Sequence, residues 1–263
     1  MWGPRMPLMP PIPLSEQQEE RLRSFERLLC DVNQRFNLVS RGEEGAIWEH
    51  HILHCLVCAV RGAPRRGCVV DWGTGGGLPA IPLSIAWPET PVFAVDSNAK
   101  KTRAVTLFAR RLGLDNCTAV PVRAEQITAR DFREAPPDGR PYEDHGSLLS
   151  VSRATAPLST LWAWHERARG LRAPGDRGPE GRAERAAGLD TPSGAQPAAS
   201  GPAPWEPGLL CLKGGDLREE LGAFAWQYPQ AQVRAYDVRD YLDDPWFETK
   251  KLLHITEPHG TES

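Results

Sequence analysis

Near the start of the chain, apolar residues recur at the three- and four-residue spacing of an amphipathic helix. Ser15 and Gln18 precede them in the order of a capping box, which predicts a helix that begins here and packs one face on the rest of the protein. A second helix is predicted from about 46 to 60, and a short linker over 62–67. The apolar positions of the first helix are Leu22, Phe25, Leu28, Leu29, Val32 and Phe36.

From residue 68 onward, short apolar runs bounded by turn residues alternate with helical patterns. This alternation predicts an α/β domain with a doubly wound, seven-stranded sheet. The last two strands lie close together without a long helix between them, which predicts an antiparallel hairpin at one edge. The predicted strands are 68–71, 92–95, 117–122, 148–152, 208–213, 232–238 and 251–256, with helices from 78, over 99–112 and from 157.

Composition divides the 263 residues into one α/β domain and several appended segments. Gly, Pro and Ala dominate residues 170–207, which lack the apolar groups that offset ordering entropy, so a flexible insertion is predicted there. The remaining segments are a Pro-rich arm without ordered structure (1–14), an N-terminal helical extension (15–66), the α/β domain (67–257) and a tail (258–263).

The most informative motif is VVDWGTGGGLP at 69–79, in which three glycines follow the end of the first predicted strand. Gly73, Gly75 and Gly77 allow a tight turn and let a ligand approach the backbone, and Asp71 can face the ammonium of such a ligand. A dinucleotide-binding fingerprint has a third glycine where this chain has Leu78, so S-adenosylmethionine is favoured over NAD. The alternative is a tight strand-to-helix turn without a ligand.

Asp96 follows the second strand, about 20 residues after the glycines, where a carboxylate can accept hydrogen bonds from both hydroxyls of a ribose. The alternative is that Asp96 belongs only to the N-cap region of the next helix, because Ser97 and Asn98 are also capping residues. Glu125 follows the third strand, where the adenine of a nucleotide-like cofactor would lie, and its alternative is an ordinary glutamate at a helix start.

A net charge of −3 and a pI near 6.2 give no global basic signature, so any nucleic-acid surface must be local. Lys100, Lys101 and Arg103 open the helix after Asp96, at the rim of the predicted cofactor site, and are predicted to contact RNA phosphates. Lys213, at the end of the fifth strand, is expected on the same rim. The alternative for this basic run is a solvated helix face.

Six cysteines lie mostly in apolar segments without the spacing of a disulfide framework, which favours reduced thiols in the cytoplasm. A Pro-rich start unlike a signal peptide, and the lack of an apolar run of about 18 residues, predict a protein without a membrane segment. Because the only His and Cys cluster lies on one helix, no metal is expected, and His51 is predicted to link the N-terminal helices to the core. The cluster is His50, His51, His54, Cys55 and Cys58.

In its combination of motifs the chain resembles the RsmG (GidB) family, bacterial methyltransferases that act on a guanine N7 of 16S ribosomal RNA. The resemblance implies a class I S-adenosylmethionine-dependent methyltransferase, Rossmann-like and seven-stranded with an antiparallel last strand, acting within the 30S subunit or a precursor, and a monomer. The matching blocks are Asn37-Leu38, His51-Ile52-Leu53, VVDWGTGGGLPAIPL at 69–83, VDSNAKK at 95–101, RAEQI at 123–127, SRATAPL at 152–158 and LKGG at 212–215.

The resemblance also implies roles for individual residues. It places Gly73 and Leu78 against the cofactor, Ala124 and Glu125 at the adenine, and Arg153 near the reacting end. Guanine N7 carries a lone pair and no proton, so no general base is needed. A bidentate contact from Arg153 to O6 and N7 would occupy that lone pair, so Arg153 is predicted to contact O6 alone, the cofactor carboxylate or a phosphate; the alternative is a structural ion pair with an acid.

Three positions depart from the family pattern: Trp72, where a small aliphatic residue is usual; Ala80, where glycine is common; and His54-Cys55, where Asp-Ser is usual. Three competing functions remain open. They are a methyltransferase of the same fold that acts on another RNA or a small molecule, a non-catalytic ribosome- or RNA-binding protein, and an NAD-linked oxidoreductase, which Leu78 disfavours.

Overall fold

A computed structural model describes residues 8–36, 38, 46–64, 67–127, 148–153, 155–170 and 203–257. Its centre is a seven-stranded sheet flanked by helices on both faces. In these described segments, no helix combines the length and the apolar character needed to cross a membrane.

The first helix, α1, spans Glu16–Phe36 and begins with the predicted capping box. Ser15 Oγ accepts the amide of Gln18 at 3.3 Å, and the Gln18 side-chain oxygen accepts the amide of Ser15 at 2.9 Å. The Gln18 side-chain nitrogen also donates to the Ile85 carbonyl at 3.0 Å and so ties the helix start to the α/β domain. Leu22, Phe25 and Leu29 are fully buried, as predicted for the packed face. Phe36 was predicted on that face but is 53% exposed, because it lies at the last residue of the helix.

The second helical segment, α2, covers residues 47–59 and confirms the prediction of a helix in this part of the chain. It is irregular: a π-helical stretch (Ile47–Leu53) passes into an α-helical turn (His54–Leu56) and a 3-10 turn (Val57–Ala59). Nearly every side chain from Ile47 to Ala59 is buried or half-buried. Helices of this irregular kind are often found at functional sites.

All seven predicted strands are present, with ends that lie within two residues of the prediction. The order in the sheet is β3-β2-β1-β4-β5-β7-β6, in which β7 is antiparallel to both of its neighbours. The predicted hairpin is therefore correct, with β6 at the edge and β7 inserted beside β5. The strands are β1 (Val69–Trp72), β2 (Val92–Val95), β3 (Cys117–Val120), β4 (Leu149–Arg153), β5 (Gly208–Gly214), β6 (Gln232–Asp237) and β7 (Lys250–Thr256).

Helices cover both faces of the sheet, because successive strand side chains point to opposite sides. Val69, Ala94 and Val151 pack with α1 to α4, whereas Trp72 and Leu209 pack with α5 and α6. The N-terminal extension thus completes one of the two core layers. The helices of the α/β domain are α3 (Ala80–Ala86), α4 (Ala99–Leu112), α5 (Leu158–Ala168) and α6 (Arg218–Gln227).

Two segments that were predicted to lack ordered structure contain packed residues. Leu8, Ile12 and Leu14 of the Pro-rich arm pack partly buried against the larger core cluster. Trp205, near the end of the predicted insertion, is 3% exposed, and its indole N–H donates to the Cys58 carbonyl at 2.7 Å. Their apolar side chains find partners that composition alone does not reveal. Residues 1–7, 171–202 and 258–263 lie outside the described residues.

Candidate active site

The glycine loop leaves β1 at the carboxyl edge of the sheet and is anchored by backbone hydrogen bonds. The amides of Gly73 and Thr74 both donate to the Val95 carbonyl of β2 at 2.9 Å. Gly73, Gly75 and Gly77 have φ values of 73°, 56° and 86°, which residues other than glycine rarely adopt. The predicted need for glycine therefore rests on the backbone conformation of the loop.

The three glycines face different surroundings. A Cβ on Gly73 would lie 1.9 Å from Cγ2 of Thr155, and one on Gly77 would lie 2.7 Å from the Ile81 side chain. A Cβ on Gly75 would meet nothing closer than the Gly73 carbonyl at 3.9 Å. Close packing thus requires Gly73 and Gly77, whereas Gly75 leaves its open side for a ligand to approach the backbone.

Asp96 follows β2 and lies directly beside the loop. Its Oδ2 accepts the Gly75 amide at 3.1 Å, and its Oδ1 accepts the Asn98 amide at 2.8 Å. The helix α4 is capped by Asn98, whose Oδ1 accepts the amides of Lys100 and Lys101, so Asp96 is not the N-cap. A carboxylate has about four acceptor positions, so Asp96 retains capacity for two ribose hydroxyls.

Asp71 lies beneath the loop and is fully buried. Its Oδ2 accepts the Ala80 amide at 3.1 Å, at the start of α3. Burial raises the pKa of the Asp71 carboxyl to about 7, while the Thr74 hydroxyl, the Ala80 amide and the Arg153 charge oppose that rise. With no exposed surface, Asp71 supports the loop from below and cannot present its side chain to bulk solvent.

The other predicted cofactor residues lie on the same edge. Ala124 and Glu125 begin a 3-10 turn (Ala124–Gln126) after β3, the strand beside β2; Glu125 is exposed and Ala124 half-buried. Leu78 is only 3% exposed and packs in the core cluster, while its amide donates to the Thr74 carbonyl at 3.0 Å. Its side chain therefore stabilises the loop from inside the core.

Arg153 is the last residue of β4, the strand next to β1, as predicted. Its Nη1 lies 2.6 Å from Nδ1 of His51 on α2. The sequence left open an ion pair between Arg153 and an acidic residue. In the structure, the partner of Arg153 is a histidine. The same contact supports the prediction that His51 links the N-terminal helices to the core. Burial, then the charges of Arg153 and His50, lower the pKa of His51 to about 3.

The other histidines of α2 have separate partners. The His50 ring stacks on Trp246 with centroids 4.3 Å apart, and His54 packs between Trp246 and Phe247. Burial is the main cause of a lowered pKa for His54, and it raises the pKa of the Cys55 thiol to about 12. Among the described residues, no three His, Cys, Asp or Glu side chains come together in a way that could hold a metal ion.

Trp72, which departs from the family pattern, has a structural explanation. Its fully buried indole N–H donates to Ser150 Oγ at 2.9 Å, and that hydroxyl is 2.9 Å from Nδ1 of His165. The Trp72 ring also lies 6.0 Å from the ring of Trp164. The side chain therefore joins β1, β4 and α5 on the sheet face opposite α1 to α4.

The four residues predicted to bind RNA fall into two groups. Lys100 and Arg103 are exposed and Lys101 is half-buried, all in the first turns of α4, which starts three residues after Asp96. Lys213 is only 11% exposed, and its ammonium donates to Glu220 at 2.7 Å and to the Ala156 carbonyl at 2.8 Å. We therefore remove Lys213 from the predicted RNA surface, because internal partners occupy its charge.

Sequence reasoning missed the residues that join β4 to the glycine loop. The hydroxyls of Ser152 and Thr155 both donate to the Trp72 carbonyl at 3.0 Å, and the methyl group of Thr155 packs against Gly73. Their only sequence signal is their position on either side of Arg153. They bring the Arg153 strand end and the cofactor loop into one unit.

Asp96, the open side of Gly75 and the turn at Glu125 fit S-adenosylmethionine, which needs acceptors for a ribose and close approach to backbone. The strand order with an antiparallel β7 and this loop define a class I S-adenosylmethionine-dependent methyltransferase.

Residues 18–170 match the family described as GidB, rRNA small subunit methyltransferase G. The chain belongs to this family. Ribosomal RNA small subunit methyltransferase G of Salinibacter ruber is 42% identical over 243 residues, 92% of this chain and 94% of the relative. The protein of that name from Bacteroides fragilis is 30% identical over 244 residues, 92% of this chain and 95% of the relative. Among solved structures, an rRNA methylase from Streptococcus thermophilus aligns with a TM-score of 0.43 at 12% identity, over 78% of this chain and 94% of that one.

Proposed function

We propose that this chain transfers a methyl group from S-adenosylmethionine to N7 of a guanine in 16S ribosomal RNA, the guanosine at position 527 in standard numbering. The proposed substrate is the 30S subunit or a precursor, in the cytoplasm, and the proposed enzyme is a monomer. The names of the relatives support ribosomal RNA as the substrate class. The guanine and its N7 come from the family resemblance and from the chemistry of the site.

The observation that carries the N7 assignment is the placement of the groups around Arg153: Asp71 and Cys55 are fully buried, and Nδ1 of His51 is occupied by the Arg153 guanidinium. His51 has a pKa near 3 and is a weak base, and the Cys55 thiol keeps its proton because its pKa is near 12. Asp71 has a pKa near neutrality but is fully buried. These neighbours suit a reaction that removes no proton from its substrate. Guanine N7, with its lone pair and no proton, is such an acceptor.

In the proposed mechanism, S-adenosylmethionine supplies an electrophilic methyl group. The Gly75 backbone and Asp96 would hold the cofactor, and Glu125 would lie at its adenine. Arg153 would orient the substrate or the cofactor carboxylate by donating hydrogen bonds to guanine O6, to that carboxylate or to a phosphate. Arg153 must not donate a hydrogen bond to N7, because N7 has to use its lone pair for the new bond. Catalysis would then come from alignment of the two reactants.

The test is methyl transfer to 30S subunits and to naked 16S RNA, both from cells that lack the endogenous activity, followed by reduction and aniline cleavage at N7-methylated guanines. We expect cleavage at one guanine of the 30S substrate. Methylation elsewhere would favour a related enzyme with another target. No transfer, together with no calorimetric binding of S-adenosylmethionine, would favour a non-catalytic RNA-binding protein.

The proposed RNA surface at the start of α4 can be tested separately. Replacing Lys100 and Lys101 with alanine removes two cations beside Asp96. We expect KM for the 30S substrate to rise and its logarithmic salt dependence to fall by about 1 to 2, with unchanged affinity for S-adenosylmethionine. Arg110 and Arg111, exposed at the far end of the same helix, give a matched control. An equal effect of their replacement would show that the surface is not localised.

A further inference from the structure

The contact between Arg153 and His51 constrains the chemistry of both side chains. Guanidinium nitrogens donate hydrogen bonds and accept none. With Nη1 of Arg153 at 2.6 Å, Nδ1 of His51 must therefore be the acceptor. The ring proton of a neutral His51 must then lie on Nε2. A protonated His51 would carry a donor on both nitrogens and would lose this contact.

The surroundings of His51 keep the ring in the required form. The side chain is only 4% exposed, and the adjacent Ile52 and Leu53 are fully buried in the core. Burial and the charges of Arg153 and His50 hold the pKa of His51 near 3, so the ring is neutral throughout the working range of pH. His51 is therefore a fixed acceptor that belongs to the helical extension, 102 residues from Arg153 in the sequence.

We propose that His51 is a positioning residue that holds one arm of the Arg153 guanidinium and so fixes the direction in which its remaining donors face the methyl acceptor. The inference rests on the proposed function. An unconstrained arginine would pair two donors with guanine O6 and N7 and would block the lone pair that has to react. With Nη1 donating to His51, the plane of the guanidinium is fixed, and in the proposed orientation the Nε and Nη2 donors leave N7 open.

The tautomer of His51 gives a test that does not depend on activity. In the full-length chain with 15N-labelled histidine, long-range 15N–1H correlation distinguishes a protonated ring nitrogen from an unprotonated one. We expect His51 to show an unprotonated Nδ1 and a protonated Nε2 from about pH 5 to pH 8, and Arg153→Ala to change the 15N shift of Nδ1, because the hydrogen bond that Nδ1 accepts is lost. A protonated Nδ1 in the unmodified chain would overturn the inference.

Three substitutions of His51 distinguish a role as a hydrogen-bond acceptor from a role in packing alone. Asparagine places its side-chain oxygen near the position of Nδ1, glutamine places it near Nε2, and leucine has no acceptor. We expect kcat for 30S methylation to fall roughly 10-fold or more in His51→Leu and His51→Gln, because a hydrogen bond to a charged group is lost. His51→Asn should recover to within about threefold of the unmodified chain. Calorimetry should show little change in affinity for S-adenosylmethionine.

His54→Asn is the matched control, because His54 lies on the same helix and is also 4% exposed. Its ring nitrogens have no hydrogen-bond partner among the described residues. After correction for the folded fraction, we expect kcat to change less than about twofold. Equal losses in His51→Asn and His51→Leu, or a comparable loss in His54→Asn, would overturn the positioning role. If the unmodified chain methylates no 30S RNA, the proposed function is contradicted. The tautomer spectrum still tests the contact between His51 and Arg153, because it does not depend on activity.

Discussion

The carboxyl edge of the sheet has two halves, which we propose bind the cofactor and the substrate, and the structure holds them in different ways. On the cofactor half, formed by the ends of β1 to β3, backbone groups make most of the contacts: the Gly73 and Thr74 amides bind the Val95 carbonyl, and Asp96 binds the Gly75 amide. On the substrate half, at the end of β4, side chains from distant segments meet, as His51 and Arg153 do. A site held by strained backbone tolerates few residue types at those positions. A site held by contacts between side chains can be conserved when both partners are substituted together.

Departures from the family pattern occur in both halves, since Trp72 and Ala80 flank the glycine loop. The three glycines with positive φ, Gly73, Gly75 and Gly77, are nevertheless all present. On α2, which contributes His51 to the substrate half, the usual Asp-Ser pair is replaced by His54-Cys55, and both residues are buried in the core. His54 packs between the rings of Trp246 and Phe247, so the replacement is accommodated by aromatic contacts. Substitutions of the closely packed loop glycines, Gly73 and Gly77, should therefore damage the fold and ligand binding together.

The largest expected effect is that of Gly73→Ala. Its φ of +73° costs an alanine about 1 to 2 kcal/mol, and the new Cβ would lie 1.9 Å from Cγ2 of Thr155. With a packing cost of about 1 to 3 kcal/mol, the free energy of unfolding should fall by about 2 to 5 kcal/mol, and affinity for S-adenosylmethionine should be lost. Urea titration and calorimetry measure these two quantities.

Gly113→Ala is the control for backbone strain alone, since Gly113 has a φ of +63° and no atom within 4 Å of a Cβ. It should cost only about 1 to 2 kcal/mol. Adding Thr155→Ser to Gly73→Ala removes the clashing methyl group and should restore part of the loss. Equal costs for the two alanine variants would contradict the importance of the Thr155 contact.

The ease of prediction from sequence follows the same division. Asp96 and the three glycines could be predicted because a strand end and a left-handed turn restrict the residues of a short segment. The contact between His51 and Arg153 joins segments 102 residues apart, so sequence indicated a linking role for His51 but not its partner. Lys213 was misjudged for the same reason, since Glu220 approaches it only in the folded chain.

The second prediction concerns Asp71, the buried carboxyl of the cofactor half. Its pKa rises from the ordinary 3.8 to about 7 on folding, mainly because of burial. Between these values the folded chain holds a proton that the unfolded chain has released, so the Asp71 contribution to stability is greatest below pH 4 and declines until pH 7. Relative to Asp71→Asn, the free energy of unfolding should therefore fall by about 3 to 4 kcal/mol over this range.

The measurement is a series of urea titrations of both proteins between pH 4 and pH 8. The difference between the two curves isolates Asp71 from the histidines and other groups that titrate in the same range. In the Asp71→Asn variant the side-chain oxygen should still accept the Ala80 amide, so the loop and its affinity for S-adenosylmethionine should be retained at pH 8. A difference that is constant with pH would show that Asp71 is ionised from low pH and that other groups offset its burial.

The smallest effect is expected for Trp72→Phe. This substitution tests whether the Trp72 side chain, beneath the glycine loop, contributes to cofactor binding. The substitution removes the hydrogen bond to Ser150 and some packing on Trp164, but keeps the backbone carbonyl that Ser152 and Thr155 bind. We expect a loss of about 1 to 2 kcal/mol in stability and less than a twofold change in affinity for S-adenosylmethionine. A double-mutant cycle with Ser150→Ala should give a coupling energy of about 1 kcal/mol, because the two side chains share one hydrogen bond. A loss of cofactor affinity as large as that of Gly73→Ala would instead place the Trp72 side chain in the binding site. The cofactor half would then include the core residues beneath the loop as well as the loop backbone.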